Sequence, residues 1–485
     1  MVCGTASDAG KSHVVTGLCR VLARRGVSVA PFKAQNMALN SYVTRSGHEI
    51  GRAQGVQALA AGIEPEVAMN PVLLKPTGER TSQVVVRGEA VAHLTAAEYH
   101  QRKPELLALV LDSLADLRRR FDVVICEGAG SPTEINLLDH DIVNLRIAHD
   151  AGLPAIVVGD IDRGGVFAAL YGTVALLPQH YRRLVRGFVI NKLRGDPALL
   201  FDAGADLEAR CGVPTLGVLP WIDGVALDAE DSLALVGPRP HAEGSARRDA
   251  LDVVAIRFPH LSNFTDLDAL AIEPGVAVRL VDGPVGLGSP DLVVLPGTKA
   301  TVADLAWLRG RGLDTAIRAS GATVLGVCGG YQMLGRRIVD DVESGAGEVD
   351  ALGWLDVETV FDPTKVLRQC EGTAMGQRVT GYEIHHGRTK VGAGALPWVH
   401  LEDEDEGAID VGDSWVLGTS LHGIFEQDAF RAVFLTEVGR RRGKRFEPAG
   451  VSFAAARDAQ FDRLADLLED HLDLAAVERL IEGAR

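Results

Sequence analysis

Short runs of Val, Ile and Leu recur along the chain, each followed by a longer stretch whose apolar residues return every three to four positions. Continuous apolar runs suit strands buried on both faces, and the longer period suits crossover helices. Their alternation therefore predicts α/β units built on parallel sheets. In the first half the predicted strands are 27–33 (VSVAPFK), 121–128 (FDVVICEG), 154–160 (PAIVVGD) and 186–192 (RGFVINK), with helices over 14–25 and 105–120. Each strand ends in a polar or glycine-rich cluster, and ligands bind at the carboxyl ends of strands in such sheets. Strands resume at 251–258, 291–297 and 322–328, which predicts a second α/β unit. Between the halves, 237–250 (GPRPHAEGSARRDA) loses periodicity and collects Pro, Gly and charge, as a linker does. A helical pattern over 460–483 closes the chain, and the acidic run 402–406 (EDEDE) reads as a solvated loop. The expected domains are 1–236 and 251–445, with the linker between them and a helical segment over 446–485.

Composition narrows the function. At 485 residues the chain exceeds one ordinary core. Its 49 basic and 65 acidic side chains leave a net charge of −16, which argues against a surface that wraps nucleic acid. The six cysteines (Cys3, Cys19, Cys126, Cys211, Cys328, Cys370) show no CxxC spacing and read as reduced thiols. No apolar run reaches the ~18 residues of a membrane span. The first twenty residues carry no basic segment followed by an apolar one, so a soluble cytoplasmic protein is expected.

GTASDAGKS, Gly4 to Ser12, stands between a very short strand and a helix, with only three residues ahead of Gly4. Such a loop aims backbone N–H groups and a helix N-terminus at phosphate oxygens, while Lys11 reaches the terminal phosphates. Gly4, Thr5, Gly10, Lys11 and Ser12 form the predicted nucleotide cradle, with Ser12 on Mg²⁺. Five residues rather than four separate Gly4 from Gly10, so the loop is a variant. Glu127, at the end of the strand 121–128, is a hard oxygen donor suited to Mg²⁺. Asn191, ending another strand, offers a paired donor and acceptor that could read a base.

VLGVCGGYQMLG, 324–335, is a strand, then Cys328, two glycines and an amphipathic helix. A nucleophile on such an elbow is exposed at the sheet edge, and a helix N-terminus favours its thiolate. The N–H of Gly329 is a predicted oxyanion donor, with a second from the PGTK turn near Gly297 and Thr298. A cysteine nucleophile needs a base, and His422 in GTSLHGIFE is the favoured partner. His385 and His386 in GYEIHHGRT are rivals, of which an extended segment would admit only one to a common site. Ile424 stands two residues after His422, so no carboxylate completes a triad there, and Glu426 is the only nearby acid.

With FKAQNMALNSYVT (32–44), GHEIGRAQ (47–54), MNPVLLKP (69–76), SQVVVRG (82–88), EGAGSPTEINL (127–137), GDIDRGGVF (159–167), NKLRGD (191–196) and PGTKATVADL (296–305), these motifs resemble the glutamine-dependent cobyric acid synthase family over nearly the whole chain. The resemblance implies a phosphate-loop, dethiobiotin-synthetase-like parallel-sheet domain and a class I glutamine amidotransferase-like α/β domain, followed by short C-terminal helices. Its amidotransferase subgroup lacks the third triad acid. The implied reaction amidates the b, d, e and g carboxylates of adenosylcobyrinic acid a,c-diamide, with ATP, Mg²⁺ and glutamine. By matching residues, Cys328 forms a glutamyl thioester and His422 moves its proton. Lys11, Ser12 and Glu127 position Mg-ATP, and Lys33 neutralises charge during phosphoryl transfer. Gln35, Asn36, Asn40, Gln54 and Asp160 are implied lining for substrate or metal, and both sites are expected to face one cavity or channel. Lys11, Lys33, Lys75 and Arg163 are where positive potential for these anions is expected.

Three readings compete. The synthase amidating the a and c carboxylates, and an amidotransferase acting on a cell-wall lipid precursor, share the two-domain logic without QNMALN and MNPVLLKP. A ParA-like partitioning ATPase shares the variant loop, but the cysteine elbow, His422 and the acidic charge oppose it. A degenerate regulator is opposed by the intact Lys11, Cys328 and His422. Sequence supports no expectation about oligomeric state.

Overall fold

The computed structural model describes residues 1–77, 81–222, 224–225, 249–410 and 415–484. All but the last two residues of the predicted linker 237–250 lie outside them. The described residues form two compact units. The first takes in Met1–Ala38, Glu49–Leu227 and Arg457–Arg485; the second takes in Leu39–His48 and Asp228–Ala456.

The first unit is built on parallel strands. Val2–Gly4, Ala155–Asp160, Val185–Leu193 and Thr215–Pro220 pair in that order, and Val29–Phe32 pairs with Val123–Cys126. A parallel bridge from Val2 to Glu127 links the two groups. Val29–Phe32, Val123–Cys126, Ala155–Asp160 and Val185–Leu193 are the predicted strands within a few residues, mostly buried and continuously apolar, whereas the half-buried Thr215–Pro220 was not anticipated. Lys11–Arg24 and Ala96–Arg120 are the predicted helices, the second beginning nine residues early at a capping box between Thr95 and Glu98. A second sheet escapes the pattern. Gln35–Met37 runs parallel to Val72–Pro76, which continues antiparallel through Thr81–Val86 to Glu89–Thr95. The last strand is mostly exposed, so it carries no continuous apolar run.

The closing helices are Phe453–His471 and Leu474–Glu482. They are not a free-standing segment: from Arg457 onward they belong to the first unit. Ala465, Leu468, Leu472 and Val477 share a core with Val14, Val15 and Leu18 of the helix Lys11–Arg24. Gly17 provides the close approach, because a Cβ there would lie 2.6 Å from Leu468 Cδ1. Arg20 and Arg24 flank this seam with ion pairs to Asp462.

The second unit carries a parallel sheet in the order Val276–Val281, Leu251–Ile256, Leu292–Leu295, Thr323–Val327 and Val416–Thr419, with Ala408–Asp410 antiparallel at one edge. A second sheet is dominated by a long hairpin of Val357–Ala374 and Gln377–Val391. Met375 and Gly376 turn it with positive φ at both positions, the tight turn that matches strand twist. The run 402–406 is not wholly a solvated loop. Asp405–Glu406 is a short strand, and Glu406 is buried, accepting from Thr419 Oγ1 at 2.5 Å and Ser420 N at 2.6 Å.

Leu468 is 1% exposed at the helix seam. Leu468→Ala is expected to destabilise the first unit by about 3 kcal/mol, the usual cost of a buried leucine deletion. Denaturant titration of a first-unit fluorescence probe checks this; an unchanged midpoint would show that the closing helices do not share its core.

Candidate functional site

Two polar sites form at the carboxyl ends of the parallel strands, one in each unit.

In the first unit the chain leaves the strand Val2–Gly4 and turns through residues 5–10 into the helix Lys11–Arg24. Gly10 has φ 95°, open to glycine, and a Cβ there would lie 2.1 Å from Asn191 Nδ2. That nitrogen donates to Ala9 O at 2.9 Å. Asn191 therefore holds the loop with one of its amide N–H groups. Thr5 N donates to Val158 O at 2.9 Å and fixes the start of the loop. Lys11 folds back over it, with Nζ 2.9 Å from Ala6 O and 3.0 Å from Ser7 O. Gly4 makes room for that fold, since a Cβ there would meet the Lys11 stem at 3.0 Å.

Glu127 is the centre of this site and is buried. Its Oε1 accepts from Ser12 Oγ at 2.9 Å and from Lys33 Nζ at 2.9 Å; its Oε2 accepts from Gln57 Nε2 at 2.5 Å. Burial pushes this carboxyl up, but Lys33, Gln57 and Lys11 together hold it below the usual carboxylate value. Gln57 was not anticipated from sequence, although the helix Arg52–Ala60 presents it three residues beyond Gln54. Gln57 Oε1 and Gln54 Nε2 are buried and have no hydrogen-bond partner among the described residues.

Other expected lining residues are engaged inside the protein. Gln35 accepts from Tyr99 Oη at 2.5 Å, and Asn36 Nδ2 donates to Gln54 Oε1 at 3.0 Å. Asp160 Oδ2 lies 2.8 Å from Lys192 Nζ, and Arg163 pairs with Asp8 at 2.7 Å. Lys75 is buried against Glu49 at 2.6 Å, so it adds no net positive potential. Asn40 belongs to the second unit, where its Oδ1 accepts from Asn263 N at 2.7 Å and Asn263 Oδ1 accepts from Ser41 N at 2.7 Å.

In the second unit Cys328 sits at φ 51°, ψ −110°, between the strand Thr323–Val327 and the short helix Gly329–Leu334. This is a conformation that a non-glycine residue holds only when its surroundings enforce it. The surroundings do so by close packing: a Cβ on Gly330 would lie 1.8 Å from Leu295 O. The turn 296–299 passes beside the elbow, with Thr298 N 3.2 Å from where a Gly329 Cβ would be. Gly297 instead backs onto His422, whose Cε1 would lie 2.9 Å from a Cβ placed there. Gly297 and Gly329 are thus both at the site, with the backbone of Thr298 against Gly329 and Gly297 giving clearance to the imidazole.

His422 is buried and stacks on Tyr382, with ring centroids 5.3 Å apart. Its Nδ1 lies 2.9 Å from Asp266 Oδ2, and Asp266 Oδ1 accepts from Gly423 N at 2.6 Å. A carboxylate therefore does back the histidine, contrary to the sequence expectation. It comes from the helix Asp266–Ala271, 156 residues upstream, so inspection around Ile424 and Glu426 could not find it. Among the described residues His422 Nε2 has no hydrogen-bond partner. Burial pulls the imidazole down, but Asp266 and Cys328 raise it to about 9. Cys328 is the counterpart: burial raises the thiol, yet His422, His385 and the Gly329 N–H bring it below the usual thiol value.

The two rival histidines separate as extended geometry requires. Cys328 Sγ is 3.9 Å from Ile384 O, the carbonyl bonded to His385 N, and His385 is the histidine of the two that acts electrostatically on Cys328, while His386 Nδ1 meets Asp362 O at 3.0 Å. Among the described residues no group of three His, Cys, Asp or Glu side chains could hold a metal ion, and no helix is long and apolar enough to cross a membrane.

Comparison with known proteins supports both halves. Residues 1–235 match the family model described as the CobQ/CobB/MinD/ParA nucleotide binding domain, and 252–430 match the CobB/CobQ-like glutamine amidotransferase domain. The cobyric acid synthase of Frankia casuarinae is 55% identical, covering 99% of this chain and 96% of its own length. Those of Nocardia farcinica and Streptomyces coelicolor are each 54% identical across 100% of this chain, covering 97% and 96% of their own lengths. A nucleotide-binding α/β unit and a glutamine amidotransferase unit in one chain, with relatives at this identity over its full length, place it in one group: the chain belongs to the cobyric acid synthase family.

Proposed function

We propose that this enzyme amidates the b, d, e and g carboxylates of adenosylcobyrinic acid a,c-diamide, giving adenosylcobyric acid and consuming one ATP and one glutamine per amide. The observation that carries the reading is the Cys328–His422–Asp266 constellation on a strained elbow, within a chain that also holds a phosphate loop. None of the six cysteines is paired in a disulfide, which favours a cytoplasmic setting.

Glutamine hydrolysis begins with the Cys328 thiolate attacking the side-chain carboxamide. The developing oxyanion is met by the N–H of Gly329 and by a second backbone donor from the Gly297–Thr298 turn. His422, protonated at Nε2, gives that proton to the departing nitrogen, which leaves as ammonia with Cys328 acylated. It then takes a proton from the water that hydrolyses the thioester. Asp266 does not touch substrate. As a positioning residue, it holds Nδ1–H and so directs Nε2 to the sulfur.

In the first unit a carboxylate, a poor electrophile, gains a leaving group by phosphorylation, and catalysis of that step is chiefly positioning and charge stabilisation. Lys11 and the loop from Gly4 and Thr5 to Gly10 hold the phosphates, and Lys33 offsets the charge that develops. Ser12 Oγ and the Glu127 carboxylate are hard oxygens of the kind Mg²⁺ takes, and the unpartnered Gln57 Oε1 is a further buried oxygen on a residue bonded to Glu127, so the residues present fit that ion. Bound there, Mg²⁺ would neutralise phosphate charge. Ammonia released from glutamine remains a nucleophile, whereas free ammonia is mostly ammonium at neutral pH.

Cys328→Ala is expected to abolish glutamine-dependent amidation while turnover with high added ammonium survives. Mass-resolved product counting, from two to six amides over a time course with the a,c-diamide, reads substrate and stoichiometry together. Loss of both activities, or no growth in amide number, would contradict the reading. Asp266→Asn is expected to lower kcat for glutamine hydrolysis by about tenfold to a hundredfold, with KM for glutamine within about twofold. Steady-state glutaminase assays check this, and a selective rise in KM would assign Asp266 to substrate binding instead.

A further inference from the structure

His385 is not needed as the proton carrier, yet it is buried, and the Ile384 carbonyl bonded to its backbone nitrogen lies 3.9 Å from Cys328 Sγ. His385 Nδ1 meets Gly387 O at 2.7 Å and its Nε2 meets Glu383 Oε1 at 3.1 Å. A carbonyl oxygen can only accept, so Nδ1 must carry a proton. Glu383 is equally constrained. The hairpin register sets Arg368 directly opposite it, and Arg368 Nε donates to Oε2, with Cys370 Sγ 3.5 Å from the same oxygen. Against the pull of burial, His385 first and then Arg368 hold Glu383 ionised, its carboxyl lowered to about 2. With Arg368 on Oε2 the carboxylate is ionised and can only accept, so Nε2, 3.1 Å from Oε1, donates as well.

We infer that His385 is a fixed imidazolium, locked by Glu383 and Gly387 O, whose charge stabilises the Cys328 thiolate without ever carrying a proton to or from it. The inference rests on the reading of Cys328 as the nucleophile and assigns a positioning role to a histidine and a glutamate outside the Cys328–His422–Asp266 set. The contrast with His422 is geometric. His422 keeps one buried nitrogen without a partner, which a proton shuttle requires, while His385 has both nitrogens occupied. Spacing supports the assignment: Glu383 and His385 are two apart on the strand Gln377–Val391 and so share a face. Among the described residues, the charged and titratable groups around this cluster are Cys328 from the elbow side, Arg368 and Cys370 from the facing strand, Asp403 and Glu404, which pair with Arg368, and Glu406, whose carboxyl Glu383 raises. Cys328 and His385 shift each other in opposite senses, as a thiolate and a cation must: burial opposes charge on both, but His385 helps lower the thiol and Cys328 helps raise the imidazole above its usual value.

The test is the pH dependence of Cys328 alkylation by iodoacetamide in the full-length chain, followed on the Cys328 peptide by mass spectrometry. His385→Gln keeps a neutral donor in place of the ring. It is expected to move the alkylation midpoint up by about one pH unit, slowing alkylation near neutral pH about tenfold. Glu383→Gln is expected to move it the same way by a smaller amount. Glutaminase activity of His385→Gln should recover as pH rises, because the remaining machinery regains its thiolate; His422→Gln should not recover. An unmoved midpoint in folded His385→Gln, or in Glu383→Gln should the first variant fail to fold, overturns the proposal. So does activity lost equally at every pH with the midpoint unchanged, which would make His385 a proton carrier. Alkylation reads the thiolate whether or not Cys328 is catalytic, so this result is separable from the fate of the proposed reaction.

Discussion

A buried carboxylate, Asp266, bonded at once to an imidazole nitrogen and a backbone amide, is the interaction on which the amidotransferase half depends. Removing a carboxylate from water is costly unless its oxygens find donors, and Asp266 finds one at each oxygen, His422 Nδ1 and Gly423 N. The pairing fixes which nitrogen of His422 is protonated and leaves the other facing the nucleophile. The rest follows as clearance around that geometry. Gly297 must lack a side chain for the ring to fit, and Gly330 must lack one for Cys328 to hold its strained backbone against Leu295. Asn40 and Asn263, exchanging hydrogen bonds with backbone on both sides, brace the segment that leads into Asp266.

The same physics recurs at the phosphate loop with the signs arranged differently. Glu127 gathers Ser12, Lys33 and Gln57 around one buried carboxylate, so a single negative group sets the positions of three others. Lys11 lies over its own loop and Asn191 clamps Ala9 from below. A net charge of −16 does not prevent an anion site, because local donors and two lysines beside one glutamate decide the potential there. Lys75, by contrast, is a lysine in name but is neutralised by Glu49.

Much of this was legible in the sequence because parallel strands buried on both faces leave continuous apolar runs, and because both elbows are local. A phosphate loop and a cysteine elbow are each made by a dozen neighbouring residues, so their identity survives in a one-dimensional reading. What escaped was assembled from a distance or exposed to water. Asp266 reaches His422 across 156 positions, a pairing that only the fold creates. The strand Glu89–Thr95 shows a polar surface, and Glu406 is buried within a run whose composition reads as solvated. The hold of Asn191 on Ala9 across 182 positions was likewise invisible in the sequence. Glu383 was visible in GYEIHHGRT, two positions from His385, and a period of two would have paired them.

The account turns on His422 being held as a cation by Asp266 and kept ready to act on Cys328. The most direct measurement is a ¹⁵N NMR titration of the histidine rings in the full-length protein, with His422 assigned by its loss in His422→Gln. The account predicts that Nδ1 stays protonated throughout and that the ring titrates near 9. Titration at the ordinary histidine value of ~6.5, or a neutral ring with its proton on Nε2, would contradict it.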